Sequence, residues 1–248
     1  MERNLVYFVS DVHLGLDVNE PKKRETRFVS FLKSIPADQT EALYMLGDIW
    51  DFWYEYEDVV PKGYVRVFAA LTELMDAGVN VYFFPGNHDL WCYDYFSSLG
   101  IKILSQPYLA YISGKTFCLG HGDALGPGNL GYKLTKRIFT SRVTQKMFSA
   151  LHPWFAFRLG NEWSRRSRLA RREQYEFRGE DEPLYRFAKK FSSKQKVDYF
   201  IFGHYHCKVD ETLDNGARLL VMRDWIDSSD YLYWDGISVR AGISRKME

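Results

Sequence analysis

Five short apolar runs along this 248-residue chain each end in a compact block of Asp, Asn, His and Gly. The blocks are Asp11-Val-His13, Gly47-Asp-Ile-Trp-Asp51, Gly86-Asn-His-Asp89, Gly120-His-Gly-Asp123 and Gly203-His-Tyr-His206. A short apolar run bounded by such residues is typical of a buried strand. Ligands of parallel sheets collect beyond the carboxyl ends of the strands, so the blocks are expected to meet at one edge of the fold.

The apolar runs alternate with segments of helical spacing, as expected of an α/β fold. Strands are predicted for residues 5–10, 42–46, 79–84 and 197–202, a hairpin for 108–119, and helices for 24–34 and 64–77. The tail, residues 217–241, alternates like antiparallel strands with a turn near Asp235 and Gly236. The alternation in the first half predicts a parallel sheet with helices on both faces.

Residues 130–180 interrupt this alternation and predict an inserted helical cap within a single domain that spans residues 1–248. Apolar residues recur there at helical spacing: Phe139, Val143, Met147, Leu151 and Phe155. The segment holds 12 Lys and Arg against 4 Asp and Glu, although the net charge of the chain is only +1. We expect an anionic partner for the cap, whereas the near-neutral total argues against nucleic acid.

The side chains in the blocks are those that hold divalent cations. Carboxylate and amide oxygens suit hard cations, and imidazole nitrogens suit transition metals. Two cations about 3.5–4 Å apart can clamp a phosphoryl group, and such a pair needs roughly seven ligands. The candidate ligands are Asp11, His13, Asp48, Asn87, His121, His204 and His206. In extended backbone, residues two apart point the same way, whereas turn geometry would let two nearby imidazoles serve different cations.

Each block taken alone has an ordinary structural explanation. The Asp11-Val-His13 block is explained by a solvated turn, and Gly86-Asn-His-Asp89 by a tight turn, because Asn and Gly both tolerate positive φ. These explanations fail for the set, because five of the six histidines lie inside the blocks. The sixth, His152, precedes Pro153, and we interpret it as a structural or surface residue.

The order D-x-H, GD-x-x-D, GNHD, GH-x-D, GH-x-H resembles the calcineurin-like metallophosphoesterase superfamily over nearly the whole chain outside the cap. The resemblance implies a four-layer αββα sandwich with two divalent cations, most often Mn²⁺. It assigns one cation to Asp11, His13, Asp48 and His206. It assigns the other to Asp48, Asn87, His121 and His204, with Asp48 bridging.

The same resemblance implies two catalytic residues. His88 would face the phosphate oxygens or the leaving group, and Asp51 would orient it. A carboxylate on one ring nitrogen fixes the tautomer of an imidazole and raises its basicity, which favours His88 as a proton donor.

A narrower resemblance concerns the substrate. Residues 47–53, the block at 120–123 followed by Tyr132, the basic cap and residues 221–225 are similar to the UDP-2,3-diacylglucosamine pyrophosphohydrolase family of lipid A synthesis. This implies cleavage to UMP and 2,3-diacylglucosamine 1-phosphate (lipid X) by a hydroxide that two metals activate. The implied substrate contacts are Asn87, His88, Asn129, Tyr132, Arg168, Arg171 and His204.

The composition of the cap suits a lipid substrate at an anionic surface. The apolar residues that would line a groove for acyl chains are Phe139, Met147, Phe148, Leu151, Trp154, Phe155, Phe157 and Trp163. The basic residues that would contact phosphate or anionic lipid head groups are Arg165, Arg166, Arg168, Arg171 and Arg172. The alternative is that the apolar stripe packs the cap onto the body and the arginines form a solvated face.

Two other functions stay open. Many members of the lipid A family have arginine where this chain has His88 and often aspartate where it has Asn129, which leaves room for a soluble nucleotide diphosphate or phosphodiester as the substrate. A catalytically silent scaffold is the third reading, and the complete ligand set argues against it.

The location of the protein is predicted from three features. Its three cysteines contain no CxxC pair, which favours a reducing compartment. The N-terminus enters a strand-like run directly, and no apolar stretch is long enough for a membrane span. We expect a cytoplasmic protein that is peripheral on the cytoplasmic face of the inner membrane, with no obligate protein partner.

Overall fold

The computed structural model describes residues 3–128, 130–169 and 175–244, and of residue 161 and residues 165–169 it describes the backbone alone. Its strands are β1 Leu5–Val9, β2 Thr40–Met45, β3 Asn80–Phe83, β4 Lys102–Ile103, β5 Tyr108–Ile112, β6 Lys115–Leu119, β7 Tyr199–Phe202, β8 Val209–Thr212, β9 Arg218–Val221, β10 Asp230–Trp234 and β11 Val239–Ile243. Its helices are α1 Pro21–Ser34, α2 Val65–Asp76, α3 Tyr95–Ser98, α4 Leu130–Phe139, α5 Arg142–Ser149, α6 Pro153–Leu169 and α7 Pro183–Ser192, with a 3₁₀ turn at Gly179–Asp181.

The strands form two sheets. The first has the order β11-β10-β1-β2-β3-β4, and β1 to β4 run parallel. The second has the order β5-β6-β7-β9-β8, and β6, β7 and β9 run parallel. The predicted strands and the hairpin of β5 and β6 are confirmed, with ends that differ by one to two residues.

The tail does not form one antiparallel set as predicted. β10 and β11 pair antiparallel across the turn at Asp235 and Gly236, and β10 also pairs antiparallel with β1. β9 instead lies in the second sheet, antiparallel to β8 and parallel to β7. Alternation along β9 and β10 indicates strands but carries no information about which sheet each one joins, so this part of the prediction was wrong.

Helices cover one face of the first sheet, and the prediction of helices on both faces was wrong. Phe28 and Phe31 of α1 and Leu71 of α2 pack on that face with Val9. The other face packs against the second sheet, where Phe8 stacks on Phe117 with ring centroids 5.9 Å apart. Both faces of the central strand β1 are therefore packed against apolar side chains, as a strand between two layers requires.

The outer face of the second sheet is covered by α7. Leu184 and Ala188 of this helix pack on Phe200 and Phe202 of β7. The layers therefore run helix, sheet, sheet, helix, and the predicted αββα sandwich is confirmed.

The helices α4, α5 and α6 lie in the chain between β6 and β7 and belong to neither sheet. His152 precedes α6, and its carbonyl oxygen accepts the N–H groups of Phe155 and Ala156. Its Nδ1 also accepts the N–H of Trp154 at 3.3 Å, so His152 caps the start of this helix. Within the described residues, no helix combines the length and the apolar character that crossing a bilayer demands.

Candidate active site

The polar blocks lie directly after the strands that the sequence predicted. Asp11 follows β1, Asp48 follows β2 and Asn87 follows β3, all in the first sheet. His121 follows β6 and His204 follows β7, both in the second sheet. Because the two sheets pack face to face, these strand ends meet, and one cluster receives side chains from both sheets.

Four of the predicted ligands form a first candidate group: Asp11, His13, Asp48 and His206. One ligand atom of each lies within 4.8 Å of the others. The Nε2 atom of His206 is 3.2 Å from Oδ1 of Asp11, and Nε2 of His13 is 3.7 Å from the same oxygen. This group contains the residues that the resemblance assigns to the first cation.

The second candidate group contains Asp48, Asn87, His121 and His204. The Nε2 atom of His121 is 3.4 Å from Oδ2 of Asp48 and 3.3 Å from Oδ1 of Asn87. The rings of His121 and His204 have centroids 5.1 Å apart. Oδ2 of Asp48 also lies 4.0 Å from Nε2 of His13 in the first group, which places this oxygen between the two groups.

The backbone at these positions is left-handed rather than extended. Positive φ values occur at Asp11 (53°), His13 (52°), Asp48 (53°), His204 (72°) and His206 (54°). Non-glycine residues adopt this region at a cost, and such strain clusters at functional sites. The extended geometry considered for residues two apart does not occur. The turn after β7 instead sends His206 to the first group and His204 to the second, as the alternative predicted.

Each carboxylate of the cluster has one oxygen fixed by the protein. Oδ2 of Asp11 accepts the N–H of His204 at 3.0 Å, and Oδ1 of Asp48 accepts the N–H of His88 at 2.9 Å. Oδ1 of Asp11 is buried and has no hydrogen-bond donor within the described residues. A buried carboxylate oxygen without a donor is costly unless a cation binds it, so this atom fits a metal ligand.

The imidazoles of the cluster are also held in one orientation by hydrogen bonds. Nδ1 of His121 donates to the carbonyl oxygen of Leu46 at 2.9 Å, and Nδ1 of His206 donates to the Asp224 carboxylate at 2.9 Å. Because these acceptors hold the proton on Nδ1, the Nε2 lone pairs point into the cluster. The donors present therefore fit a pair of divalent cations.

The electrostatic field of the cluster is strongly negative. Burial opposes protonation of His121, but the Asp48 carboxylate outweighs it and raises the pKa of His121 to about 10. Burial likewise opposes protonation of His206, and the Asp11 carboxylate raises its pKa to about 9. A field that favours protonated imidazoles also favours bound cations, which compete for the same nitrogen atoms.

Glycines let the strand ends approach one another. A Cβ on Gly203 would collide with Oγ of Ser10 and Oδ2 of Asp11. A Cβ on Gly86 would collide with Oδ1 of Asp48 and lie 2.6 Å from its backbone nitrogen. The glycines of the blocks thus serve the close approach of two strands, which the sequence pattern alone did not reveal.

The predicted contact between His88 and Asp51 exists, mainly through the main chain. Nδ1 of His88 is 2.9 Å from the carbonyl oxygen of Asp51 and 3.8 Å from its carboxylate. The same carboxylate lies 3.4 Å from Nδ1 of His13 and accepts the hydroxyl of Ser164 in α6 at 2.7 Å. Asp51 therefore joins His88, the first group and the cap.

Two positioning carboxylates were not singled out in the sequence. Asp89 accepts the N–H groups of Gly86, Asp48, Ile49 and Trp50, which ties the blocks after β2 and β3 together. Asp89 is the last residue of the block Gly86-Asn-His-Asp89, and this position was the sequence signal that could have identified it. Asp224 lies outside every block; the resemblance noted for residues 221–225 includes it, but nothing in the sequence assigned it a role.

The predicted substrate contacts fall into two classes. Tyr132 lies near the cluster: its hydroxyl donates to Asp123 at 2.8 Å, and its ring centroid is 6.2 Å from that of His204. Asn129 and Arg171 lie outside the described residues, as do the side chain of Arg168 and those of the other arginines named for the cap, Arg165, Arg166 and Arg172.

The apolar residues of the cap divide between the two roles considered for them. Phe148 packs on Tyr54 and Trp91 of the body, with ring centroids 4.8 and 4.7 Å apart. In contrast, Met147 is 71% exposed and Trp154 is 63% exposed. One part of the stripe holds the cap to the body, and another part is open to a further apolar molecule.

Comparisons with known proteins agree with this geometry. A family model described as calcineurin-like phosphoesterase matches residues 5–208. A relative from Porphyromonas gingivalis, named UDP-2,3-diacylglucosamine hydrolase, is 35% identical over 99% of this chain and 100% of its own. One of the same name from Neisseria gonorrhoeae is 29% identical over 88% and 89%. A solved structure from Thermus thermophilus has a TM-score of 0.51 at 11% identity, covering 98% of this chain and 99% of its own, and shows a shared fold alone.

Proposed function

This chain belongs to the calcineurin-like phosphoesterase family, and we propose that it hydrolyses the pyrophosphate bond of UDP-2,3-diacylglucosamine. The products would be UMP and 2,3-diacylglucosamine 1-phosphate. The observation that carries the proposal is the cluster of carboxylates and imidazoles, in which a buried oxygen of Asp11 makes no hydrogen bond within the described residues and faces Nε2 of His206 and of His13. The identity of the substrate is proposed from the two relatives of this name, which align over 100% and 89% of their own length.

Two divalent cations would be held by the two candidate groups, with Asp48 between them. We propose Mn²⁺, because the mixture of carboxylate, amide and imidazole donors suits a metal between the hard and soft classes. When bound, such a pair supplies an activated water and neutralises charge on the phosphoryl group.

The protein itself supplies a proton donor and its orientation. Nδ1 of His88 donates to the Asp51 carbonyl, and Nε2 lies 4.0 Å from Oδ2 of Asp48, so this nitrogen faces the cluster where the substrate phosphate would bind. This ring faces the first group edge-on, with its centroid 5.1 Å from that of His13. We assign His88 to protonation of the leaving phosphate and Asp51 to its orientation.

The helices α4, α5 and α6 would form the cap over the acyl chains. Leu130, Leu134 and Ile138 lie on one side of α4 and are 80%, 61% and 49% exposed. Lys133 and Arg137 lie on the same helix. An exposed apolar stripe beside basic residues is typical of a helix that lies on an anionic membrane surface, which supports a peripheral location at the inner membrane.

The test is turnover by purified protein with Mn²⁺ on UDP-2,3-diacylglucosamine in detergent and, in parallel, on soluble nucleotide diphosphates and phosphodiesters. Release of UMP from the lipid alone is the expected result. Turnover of a soluble substrate with none of the lipid would replace this substrate with a soluble one. Absence of turnover on both would instead favour a silent scaffold.

A further inference from the structure

The imidazole of His206 is the ligand of the first candidate group that most needs external support. Its side chain is 28% exposed, whereas those of Asp11, His13 and Asp48 are 0–1% exposed. It also lies in the turn after β7, where both His204 and His206 have left-handed backbone. An imidazole at such a place keeps one orientation only if a second group holds it.

Asp224 is built to supply this support. Its Oδ2 atom lies 2.9 Å from Nδ1 of His206. Its Oδ1 atom accepts the N–H groups of Ile226 at 2.9 Å and Asp227 at 3.3 Å, so the carboxylate cannot rotate without breaking two hydrogen bonds. The carboxylate plane is therefore fixed by the turn in which Asp224 lies.

The turn that contains Asp224 also contacts the first candidate group. The N–H of Trp225 donates to the carbonyl oxygen of Asp11 at 3.0 Å. The indole of Trp225 is fully buried and packs edge-on against Phe28, with centroids 5.3 Å apart. One short segment thus grips the main chain of Asp11 and the side chain of His206.

We propose that Asp224 is a positioning residue for the first cation, which it serves by holding the proton of His206 on Nδ1 and the Nε2 lone pair toward Asp11. The inference rests on the proposed function, because it requires that the first group binds a cation. Loss of a carboxylate that hydrogen-bonds a metal-binding histidine typically weakens metal affinity by about 10- to 100-fold.

Asp224→Asn is the sharpest variant. Its carboxamide oxygen would keep the two N–H bonds of the turn, so its NH₂ group would face Nδ1 of His206. Nδ1 must then accept, and the proton moves to Nε2, where it blocks the cation. Asp227→Asn is the matched control, because it removes the same charge three residues away.

The experiment measures Mn²⁺ binding by calorimetry to metal-stripped wild type, Asp224→Asn, Asp227→Asn, His206→Ala and the double variant His206→Ala/Asp224→Asn. We expect Asp224→Asn to weaken the first binding event about 10- to 100-fold and Asp227→Asn to leave it unchanged. In the His206→Ala background, Asp224→Asn should add nothing, because its effect passes through that ring.

A second readout needs no metal. Long-range ¹H–¹⁵N NMR of the metal-stripped proteins, recorded at a pH where the His206 ring is neutral and carries one proton, should show that proton on Nδ1 in wild type and on Nε2 in Asp224→Asn. Three results would each overturn the inference and leave the proposed function standing. The first is wild-type Mn²⁺ affinity in Asp224→Asn, and the second is an equal loss of affinity when Asp224→Asn is added to His206→Ala. The third is the same His206 tautomer in Asp224→Asn as in wild type. A wild type that binds no Mn²⁺ would overturn the inference together with the proposed function.

Asp224→Ala, which removes the acceptor without adding a donor, is the second variant if Asp224→Asn does not fold, and it too should weaken Mn²⁺ binding.

Discussion

His88 and Asp51 show how one residue pair can combine two tasks. The carbonyl of Asp51 accepts from His88, while its carboxylate faces His13 and Ser164. The orientation of His88 therefore depends on the course of the main chain after β2 more than on the Asp51 side chain. Loss of the carboxylate should disturb the first group more than the proton donor.

Replacement of His88 separates proton donation from metal binding. In His88→Ala, we expect turnover to fall about 10²–10⁴-fold, the usual scale for a general acid, with Mn²⁺ affinity retained. Asp48→Ala is the comparison, because it removes the oxygen between the two groups and should abolish both binding and turnover. Parallel calorimetry and UMP release check this. Wild-type turnover by His88→Ala would remove this residue from the mechanism.

Gly203 tests the close approach of β7 to β1. In Gly203→Ala, the new Cβ collides with Ser10 and with the oxygen of Asp11 that accepts from His204. We expect weaker Mn²⁺ binding and a lower melting temperature of the metal-free protein. Gly131→Ala is the control, because a Cβ there meets nothing within 4 Å, and alanine favours a helix. Equal behaviour of both variants would contradict the packing argument.

At the scale of elements, side chains that follow β2 and β3 donate hydrogen bonds to the main chain of the helical segment proposed as the cap. The hydroxyl of Tyr54 donates to the carbonyl oxygen of Gln145 at 3.0 Å, and that of Tyr56 donates to Leu151 at 3.1 Å. The indole N–H of Trp91 donates to Phe139 at 2.8 Å. All three acceptors lie in or next to α4 and α5, so these two helices are held from the body side.

The double variant Tyr54→Phe/Tyr56→Phe removes two of these donors and keeps the rings. Each lost hydrogen bond should cost about 1 kcal/mol locally. We therefore expect faster amide hydrogen exchange in α5, with unchanged exchange in the two sheets. Tyr111→Phe is the control, because Tyr111 is 76% exposed on β5. Unchanged exchange in α5 would show that the packing of Phe148 and the Trp91 hydrogen bond hold these helices without the two hydroxyls.

Asp198 links β6 and β7 and gives the second sheet a pH dependence. Burial alone would raise the pKa of Asp198, but the N–H of Thr116 and the ammonium of Lys115 outweigh it and lower that pKa. A lowered carboxyl pKa stabilises the fold above the unfolded value of 3.8, and this stability is lost as the pH falls through the folded value.

The variant Asp198→Ala should therefore lose about 1 kcal/mol of unfolding free energy near neutral pH, where the carboxylate accepts its hydrogen bonds. The difference from wild type should shrink below pH 3.8, as the wild-type carboxylate becomes protonated. Urea unfolding over this pH range measures it. A difference that stays constant with pH would assign the loss to packing.

At the scale of the molecule, the sequence predicted the strands, the seven candidate ligands and the layered fold because these depend on local pattern and order. It did not predict that β9 crosses to the second sheet, since a period of two residues says nothing about a strand's neighbours. Nor did it find Asp224, which reaches His206 only after the chain has passed through β8 and β9.

The two sheets contribute unequal parts of the cluster. The first sheet supplies Asp11, His13, Asp48 and Asn87, and the second supplies His121, His204 and His206. The proposed activity therefore requires both sheets to be docked, and the contact of Phe8 with Phe117 lies in the layer that docks them. Binding of cations should in turn stabilise this docking, because it adds bonds that cross between the sheets.

The central claim is that side chains from both sheets converge on two cations. Anomalous diffraction from crystals grown with Mn²⁺ tests it most directly. The account predicts two peaks at the manganese edge about 3.5–4 Å apart, with Asp48 touching both. One peak would be bonded to Asp11, His13 and His206, and the other to Asn87, His121 and His204. A single peak away from Asp48, or no peak among these side chains, would contradict it.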